Sequence, residues 1–313
     1  YCLAEAQGEL RLMVLEQSSD RNEVRLEWAQ SLVPVERAVT WSPMRRLAGL
    51  SPSFADGILL CPTSSGSIIA VDPIRRLLMW GHQYRSTAAI EPVDQRAIMF
   101  QRGLPSPQLD DNDEMSRWLD SLPLMADGRA IITPRDSTEL QCLDALDGRL
   151  LWKMDRGDWL FPACVAEGMV VMVGRDGVAA FRLEDGKPVD SFASFWGAPL
   201  GPAGRGARVG TRYFLPLANG EIATIDLRSG RILARTKLSE GRVPGNLAVG
   251  AGVLMSQGSG ELISFARLAD IEAKIADSLK SDPQQPAALA LRGELRLHRG
   301  EEADGLSDLR ESL

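Results

Sequence analysis

The chain has 313 residues, 44% hydrophobic and 25% charged, with a formal net charge of -7. This composition fits a folded chain with room for one large core or two smaller ones, and the acidic balance serves solubility. It excludes the clustered Lys and Arg of a nonspecific nucleic-acid binder, and no apolar run reaches the ~18 residues of a membrane-spanning helix.

The sequence opens at Tyr1 with neither a methionine nor a signal-like apolar stretch, and reads as an excised piece or a mature product. Its four cysteines (Cys2, Cys61, Cys142 and Cys164) are widely separated. Three of them stand inside apolar strand-like runs, where a free thiol behaves as a small hydrophobe. With only His82 and His298 to assist them, their spacing does not make a metal site.

Taken in chain order, Tyr1–Ala4, Leu10–Glu16 and Val24–Trp28 read as strands two to four of an incomplete unit. A turn signature then recurs: Ala55-Asp56-Gly57, Ala126-Asp127-Gly128 and Ala166-Glu167-Gly168, followed by the weaker Val209-Gly210-Thr211 and Gly250-Ala251-Gly252. Successive glycines are 71, 40, 42 and 42 residues apart. A period near 40 with short apolar strands predicts repeated β-sheets rather than a doubly wound α/β domain. The long interval is one unit plus an insertion.

Each unit divides into four strands. After the first hairpin comes an apolar strand, such as Ile58–Cys61 or Met169–Met172, and then a second turn, as at Asn219-Gly220. The third strand ends in an apolar residue and Asp at Val71-Asp72, Leu143-Asp144 and Ile225-Asp226. A third turn with glycine at Gly148, Gly186 and Gly230 leads into an outer strand that carries Trp80 in one copy and Trp152 in another. Asp190 and Ala234 stand at the Trp position in the copies at 161–196 and 206–239.

The insertion, about 97–123, holds the acidic residues Asp110, Asp111 and Asp113 and then a short amphipathic helix whose apolar face carries Met115, Trp118, Leu119 and Leu122. The acids lack the glycine and distal glutamate of a calcium-binding EF-hand, so a lid packed on a sheet is expected. After Phe265 the pattern turns helical, with Leu268, Ile271, Ile275 and Leu279 at helical spacing, a break at Ser281-Asp282-Pro283, and two short helices over Ala287–His298 and Glu301–Leu313.

Cys142-Leu143-Asp144-Ala145-Leu146-Asp147-Gly148-Arg149-Leu150-Leu151-Trp152 resembles the ALD-x-x-T-G-x-x-x-W repeat of PQQ-like, quinoprotein-type β-propellers, and Ile69–Trp80 is similar. The resemblance covers residues 1 to about 266. It implies a mainly β fold, a β-propeller with blades of four antiparallel strands whose ring need not be complete within this chain. It also implies structural roles for Asp72, Trp80, Asp144, Gly148, Trp152, Asp226 and Gly230: Asp and Gly shape the third turn, and Trp packs between blades. Residues 267–313 form a separate helical extension that resembles a single tetratricopeptide repeat, with Gly293 and Gly305 where the helices approach. Propellers joined to such repeats occur in large bacterial proteins.

No catalytic constellation stands out. Ser64-Ser65-Gly66-Ser67 is a hairpin turn without a nucleophile elbow, and Gly201–Gly206 lacks the lysine of a phosphate loop. His82 has no companion nucleophile. PQQ chemistry in the family calls for a carboxylate–amide calcium set, an aspartate base and commonly paired adjacent cysteines, none of which can be assigned. The expected function is therefore a non-catalytic protein–protein interaction scaffold without quinone or other cofactor. Its partners would be other proteins or further domains of the same polypeptide. The alternatives are a fragment of a PQQ/calcium-dependent dehydrogenase and a cell-envelope assembly factor of the BamB type in the bacterial periplasm. Candidate partner contacts are Trp118, Trp159, Phe161 and Trp196, each of which equally fits a core position.

Overall fold

The computed structural model describes residues 1–17, 23–35, 50–63, 65–84, 122–134, 137–196, 201–238, 241–250, 252–265 and 267–313. Nearly all of the predicted insertion, including Asp110, Asp111, Asp113 and Trp118, lies outside the described residues. The described chain is mainly β, arranged in successive small sheets that match a β-propeller.

The first sheet has three strands, β1 (Cys2–Ala6), β2 (Glu9–Gln17) and β3 (Val24–Pro34). The second runs β4 (Ser53–Ala55), β5 (Ile58–Pro62), β6 (Ser67–Asp72) and β7 (Leu77–Gln83). The third holds β8 (Leu124–Ala126), β9 (Arg129–Ile132), β10 (Glu139–Asp144) and β11 (Leu150–Asp155). The fourth is β12 (Trp159–Ala166), β13 (Met169–Gly174), β14 (Gly177–Arg182) and β15 (Pro188–Phe195). A fifth comprises β16 (Ala207–Val209), β17 (Arg212–Pro216), β18 (Glu221–Asp226) and β19 (Ile232–Lys237). The sixth has three strands, β20 (Asn246–Gly250), β21 (Val253–Gln257) and β22 (Leu262–Phe265). Strands within each sheet follow chain order.

The first hairpins need positive φ at both central positions, which a tight primed turn demands. Asp56, Asp127 and Glu167 supply φ values of 50, 52 and 50°, each followed by glycine. A second irregularity fixes the frame of the repeat. The ladder slips between Ala70 and Val71 opposite Trp80, and again between Cys142 and Leu143 opposite Trp152. The same slip falls between Val14 and Leu15 opposite Trp28. β1, β2 and β3 are therefore strands two to four of their unit, and Trp28 occupies the tryptophan position.

The chain separates into two compact units. The first comprises Tyr1–Pro202, Gly210–Tyr213 and Ala223–Arg235. In it, β4, β8 and β12, the first strands of successive sheets, lie side by side. Alternating side chains are buried between facing sheets. Leu12 and Val14 meet Leu59, Cys61 and Val71; Ile58, Leu60, Ile68 and Ala70 meet Ala130, Ile132, Leu143 and Ala145; and Ile131, Leu140 and Cys142 meet Val170, Met172, Phe181 and Leu183. Strand β5 is buried on both faces, which explains its unbroken apolar run.

One aromatic contact recurs at these interfaces. The ring of Trp80 lies so close over Gly148 that a Cβ there would sit 2.4 Å from it, and the Trp80 Nε1 donates to the Ala145 carbonyl at 3.0 Å. Trp152 covers Gly186 in the same way and donates to the Leu183 carbonyl at 2.9 Å. The third instance departs from the sequence reading, which placed Asp190 at the tryptophan position. Between the pairs Phe181–Pro188 and Ala179–Ala193 the chain takes five steps along β15 against two along β14. This wide bulge brings Phe192 onto Gly230. At the first interface the glycine position is taken by Arg76, at φ 58°, whose guanidinium stacks 5.7 Å over Trp28 and pairs with Glu27 at 2.8 Å.

The second unit comprises Ala203–Val209, Phe214–Ile222 and Thr236–Leu313. Ala207, Ile222 and Leu247 form a small core with Phe214, Leu238, Leu254 and Phe265 around it. Three helices follow: α1 (Leu268–Ser281), α2 (Pro286–His298) and α3 (Glu302–Glu311). Pro286 opens α2 at a position where its missing N–H costs nothing. The backbones of α2 and α3 meet at Gly293 and Gly305, where a Cβ on either would lie 2.9 Å from the other's carbonyl oxygen. Beside this crossing the buried Asp308 accepts two bonds from Arg292, at 2.8 and 2.7 Å, and one from Arg296 at 2.7 Å.

Two outcomes follow. Gly57 and Gly148 both have positive φ, but only Gly148 lies beneath an indole ring. Gly57→Ala should cost about 1–2 kcal/mol from backbone strain alone. Gly148→Ala adds overpacking, for about 2–5 kcal/mol in all, and urea midpoints that rank the two the other way round would refute the contact's role. For Asp308, the Arg292 hydrogen bonds hold the carboxyl below its ordinary 3.8. A depressed folded-state pKa contributes stability that is complete above the ordinary value and is lost as pH falls through the folded one. Helical circular dichroism should therefore weaken on acidification below about pH 4. Asp308→Asn should flatten that acid limb and cost about 1–3 kcal/mol at neutral pH.

Candidate interaction surface

The third turns, between the third and fourth strands of each unit, are built by their aspartates. The Asp72 Oδ1 accepts the Ile74 and Arg75 amides at 2.9 and 2.8 Å, and the Asp144 Oδ1 accepts the Leu146 amide at 2.8 Å. In the fifth sheet the Asp226 Oδ1 accepts the Arg228 amide at 3.3 Å and its Oδ2 accepts the Ser229 hydroxyl at 2.6 Å. These donors favour the ionised carboxyl: the Arg75 amide holds Asp72 low, and the Ser229 hydroxyl does the same for Asp226. Arg182 replaces the aspartate in the fourth sheet and pairs with Asp185 within the turn. In the third, fourth and fifth sheets the glycine amide closes the turn on the carbonyl four residues earlier, Gly148 to Asp144, Gly186 to Arg182 and Gly230 to Asp226.

Each turn is thus fixed by its own hydrogen bonds and by an aromatic ring from the preceding sheet. At its tip, two residues past the aspartate position, the backbone amide serves the turn but the side chain is free of both tasks. The tips are Ile74, Leu146, Glu184 and Arg228. Ile74 is 83% exposed and Leu146 72% exposed, so two adjacent sheets present large apolar side chains to solvent on rigid turns. The outer strands extend this surface with Val24 and Leu26 on β3, Leu77, Leu78 and Met79 on β7, and Leu150 on β11. Strand β7 carries no charged residue, whereas β11, β15 and β19 each carry at least one. Charged residues are the usual protection of a sheet edge, and β7 lacks it.

The aromatic candidates fall elsewhere. Phe161 is fully buried, because ladder slips on either side of it turn the ring inward. Trp196 is also buried, with its Nε1 donating to the Arg175 carbonyl at 3.0 Å. Neither offers a contact surface, so both expectations are corrected in favour of core positions. Trp159 is half-buried, packs over Gly174 and meets Phe181 edge-on at 6.2 Å. His82 donates from Nε2 to the Gln141 Oε1 at 3.0 Å, and Gln141 in turn donates to Glu139, tying the second sheet to the third. Sequence reasoning missed Ile74 and Leu146. Their signal was an apolar letter at a turn tip, where the other copies carry Glu184 and Arg228.

Among the described residues no three His, Cys, Asp or Glu side chains gather as metal ligands. The thiols are free and lie in separate strands, with burial pushing Cys61 up to about 12 and Cys142 also upward. No helix among the described residues is long and apolar enough to cross a membrane.

Stacked four-stranded sheets joined by Asp-shaped turns and aromatic covers define a PQQ-like β-propeller. Residues 110–288 match the family model described as "Outer membrane protein assembly factor BamB", and the chain belongs to that family. No curated protein matches the sequence. Among solved structures, BamB from Moraxella catarrhalis is similar at 15% identity, with 85% of this chain and 72% of that chain covered and a TM-score of 0.49. The computationally designed Ika8 protein is similar at 12% identity over 85% of this chain and 82% of that chain, with a TM-score of 0.41. Quinohemoprotein alcohol dehydrogenase from Comamonas testosteroni is similar at 12% identity over 68% of this chain and 38% of that chain, with a TM-score of 0.43.

Proposed function

We propose that this chain is a non-catalytic protein-interaction scaffold whose contact face is the third-turn end of its first sheets. The observation that carries the reading is the exposure of Ile74 and Leu146 on adjacent, internally braced turns. An apolar tip held rigidly loses little conformational entropy when a partner covers it. Exposed apolar surface continuing along β7 enlarges the contact, and clustered exposure of this kind marks interaction sites.

Membership of a family described as outer membrane protein assembly factor supports a cell-envelope version of this reading, with the chain acting beside other envelope proteins. Residues 1–266 would be the propeller portion and 267–313 a tetratricopeptide-like extension. The close crossing of α2 and α3 at Gly293 and Gly305 supports the latter.

Ile74→Asp with Leu146→Asp should leave the fold intact, since both side chains already face water, and should remove the apolar contact. Pull-down from the native source with each protein as bait provides the comparison. Proteins recovered by the parent chain should fall about tenfold with the double variant. Equal recovery by both would overturn the assignment of the contact face. Dye reduction after reconstitution with PQQ and calcium should stay at background, and catalytic turnover would overturn the scaffold reading itself.

A further inference from the structure

The charge on the third turns is unevenly spread. In the second sheet Arg75 pairs with Asp72 at 3.3 Å and Arg76 with Glu27 at 2.8 Å. In the fourth, Asp185 pairs with Arg182 and with Lys187, the latter at 3.6 Å. The fifth sheet differs. Ser229 stands where Asp147 and Asp185 stand in the preceding turns, so Arg228 and Arg231 have lost their local acid. The remaining carboxylate, Asp226, attracts Arg228 through space, but its oxygens are engaged by the Arg228 amide and the Ser229 hydroxyl.

A third guanidinium joins them. Arg212 follows the first hairpin of its sheet, as Arg129 does in the third sheet. Arg129 donates to the Leu183 and Glu184 carbonyls at 3.0 and 3.2 Å. Arg212 makes no such bond among the described residues. The Leu227 amide donates to the Thr211 carbonyl at 2.8 Å, which ties the Arg212 hairpin directly to the Arg228 turn. The Asp226 amide donates to the Arg231 carbonyl at 2.9 Å, closing the same corner. Arg212, Arg228 and Arg231 are all exposed.

We propose that Arg212, Arg228 and Arg231 form a docking point for an acidic segment of the partner protein. The proposal rests on the scaffold reading and names the chemistry of what that scaffold takes. Three cations that make no salt bridge among the described residues, on one rigid corner of a chain with net charge -7, are a local exception to its field. Guanidinium forks match carboxylates in bidentate geometry. Screening confines their attraction to roughly 8 Å at physiological salt. A compact acidic segment fits within that range. A long polyanion or an anionic bilayer would also meet the Glu184 tip of the neighbouring sheet and the acidic remainder of the chain.

The test uses the full chain and a fluorescent glutamate decapeptide, followed by anisotropy across a salt series. The parent should bind the peptide, with affinity falling as salt rises. Arg212→Ala, Arg228→Ala and Arg231→Ala together should weaken binding at least about tenfold and flatten the salt dependence. The corresponding triple lysine variant should retain most of the binding, which separates loss of charge from loss of fold, and unchanged melting of both variants checks the latter. Arg25→Ala should have no effect. Ile74→Asp with Leu146→Asp should leave peptide binding intact, so failure of the apolar contact face and failure of this docking point read out separately. Absence of peptide binding, or equal binding by the alanine variant, would overturn the proposal. So would tighter, Arg-dependent binding of a single-stranded oligonucleotide or of phosphatidylserine vesicles.

Discussion

An aromatic ring laid over the third turn of the next sheet is the contact on which the first unit depends. A small sheet with two apolar faces is not stable alone, and the alternation of strand side chains buries one face but says nothing about angle or register between sheets. The ring supplies both. At two interfaces an indole reaches across the gap, covers the turn glycine and satisfies its own N–H on a turn carbonyl, so the large apolar surface is buried with no stranded donor. The turn must present no side chain under the ring, and it must be held rigid. Glycine meets the first demand and the aspartate hydrogen bonds meet the second.

The contact is a shape rather than a residue, as its two variants show. Phe192 replaces tryptophan only because a wide bulge in β15 shifts the chain until a ring falls over Gly230. Arg76 replaces glycine because its guanidinium lies over the Trp28 ring, 5.7 Å from the centroid, as a cation on an aromatic face. In both cases the partner across the interface is still an aromatic plane. Single-letter matching at fixed spacing cannot register such exchanges, since it requires the same residue at the same offset.

This accounts for what the sequence could disclose. The glycine period, the Asp-ended third strands and the two tryptophans at regular offset are local, and local patterns survive translation into strands and turns. The strands of the first sheet were legible as apolar runs, but its frame is fixed by the ladder slip opposite Trp28, since the longer turn before that strand breaks the spacing of the later copies. Phe192 was hidden by a bulge, whose extra residues alter spacing without altering composition. Exposure was harder still: Phe161 and Trp196 read as contact candidates from residue type, yet both are core. Burial depends on which face of a strand meets a neighbouring sheet, and a ladder slip of one residue reverses that face.

The division of labour within the third turn also explains where function can reside. Backbone closure uses the aspartate and glycine positions, and sheet stacking uses the glycine face. The tip contributes only its backbone amide, so the identity of its side chain is unconstrained by stability. The four tips bear this out in their chemistry, as Ile74, Leu146, Glu184 and Arg228 share no property except exposure. A free position would ordinarily be filled by a polar residue in contact with water. Two successive bulky apolar tips, followed two sheets later by a corner of arginines lacking acids, therefore carry information that the fold itself does not require. Such a pattern on fixed turns can discriminate among partners by the separation of an apolar contact from a charged one, which a flexible loop could not hold constant.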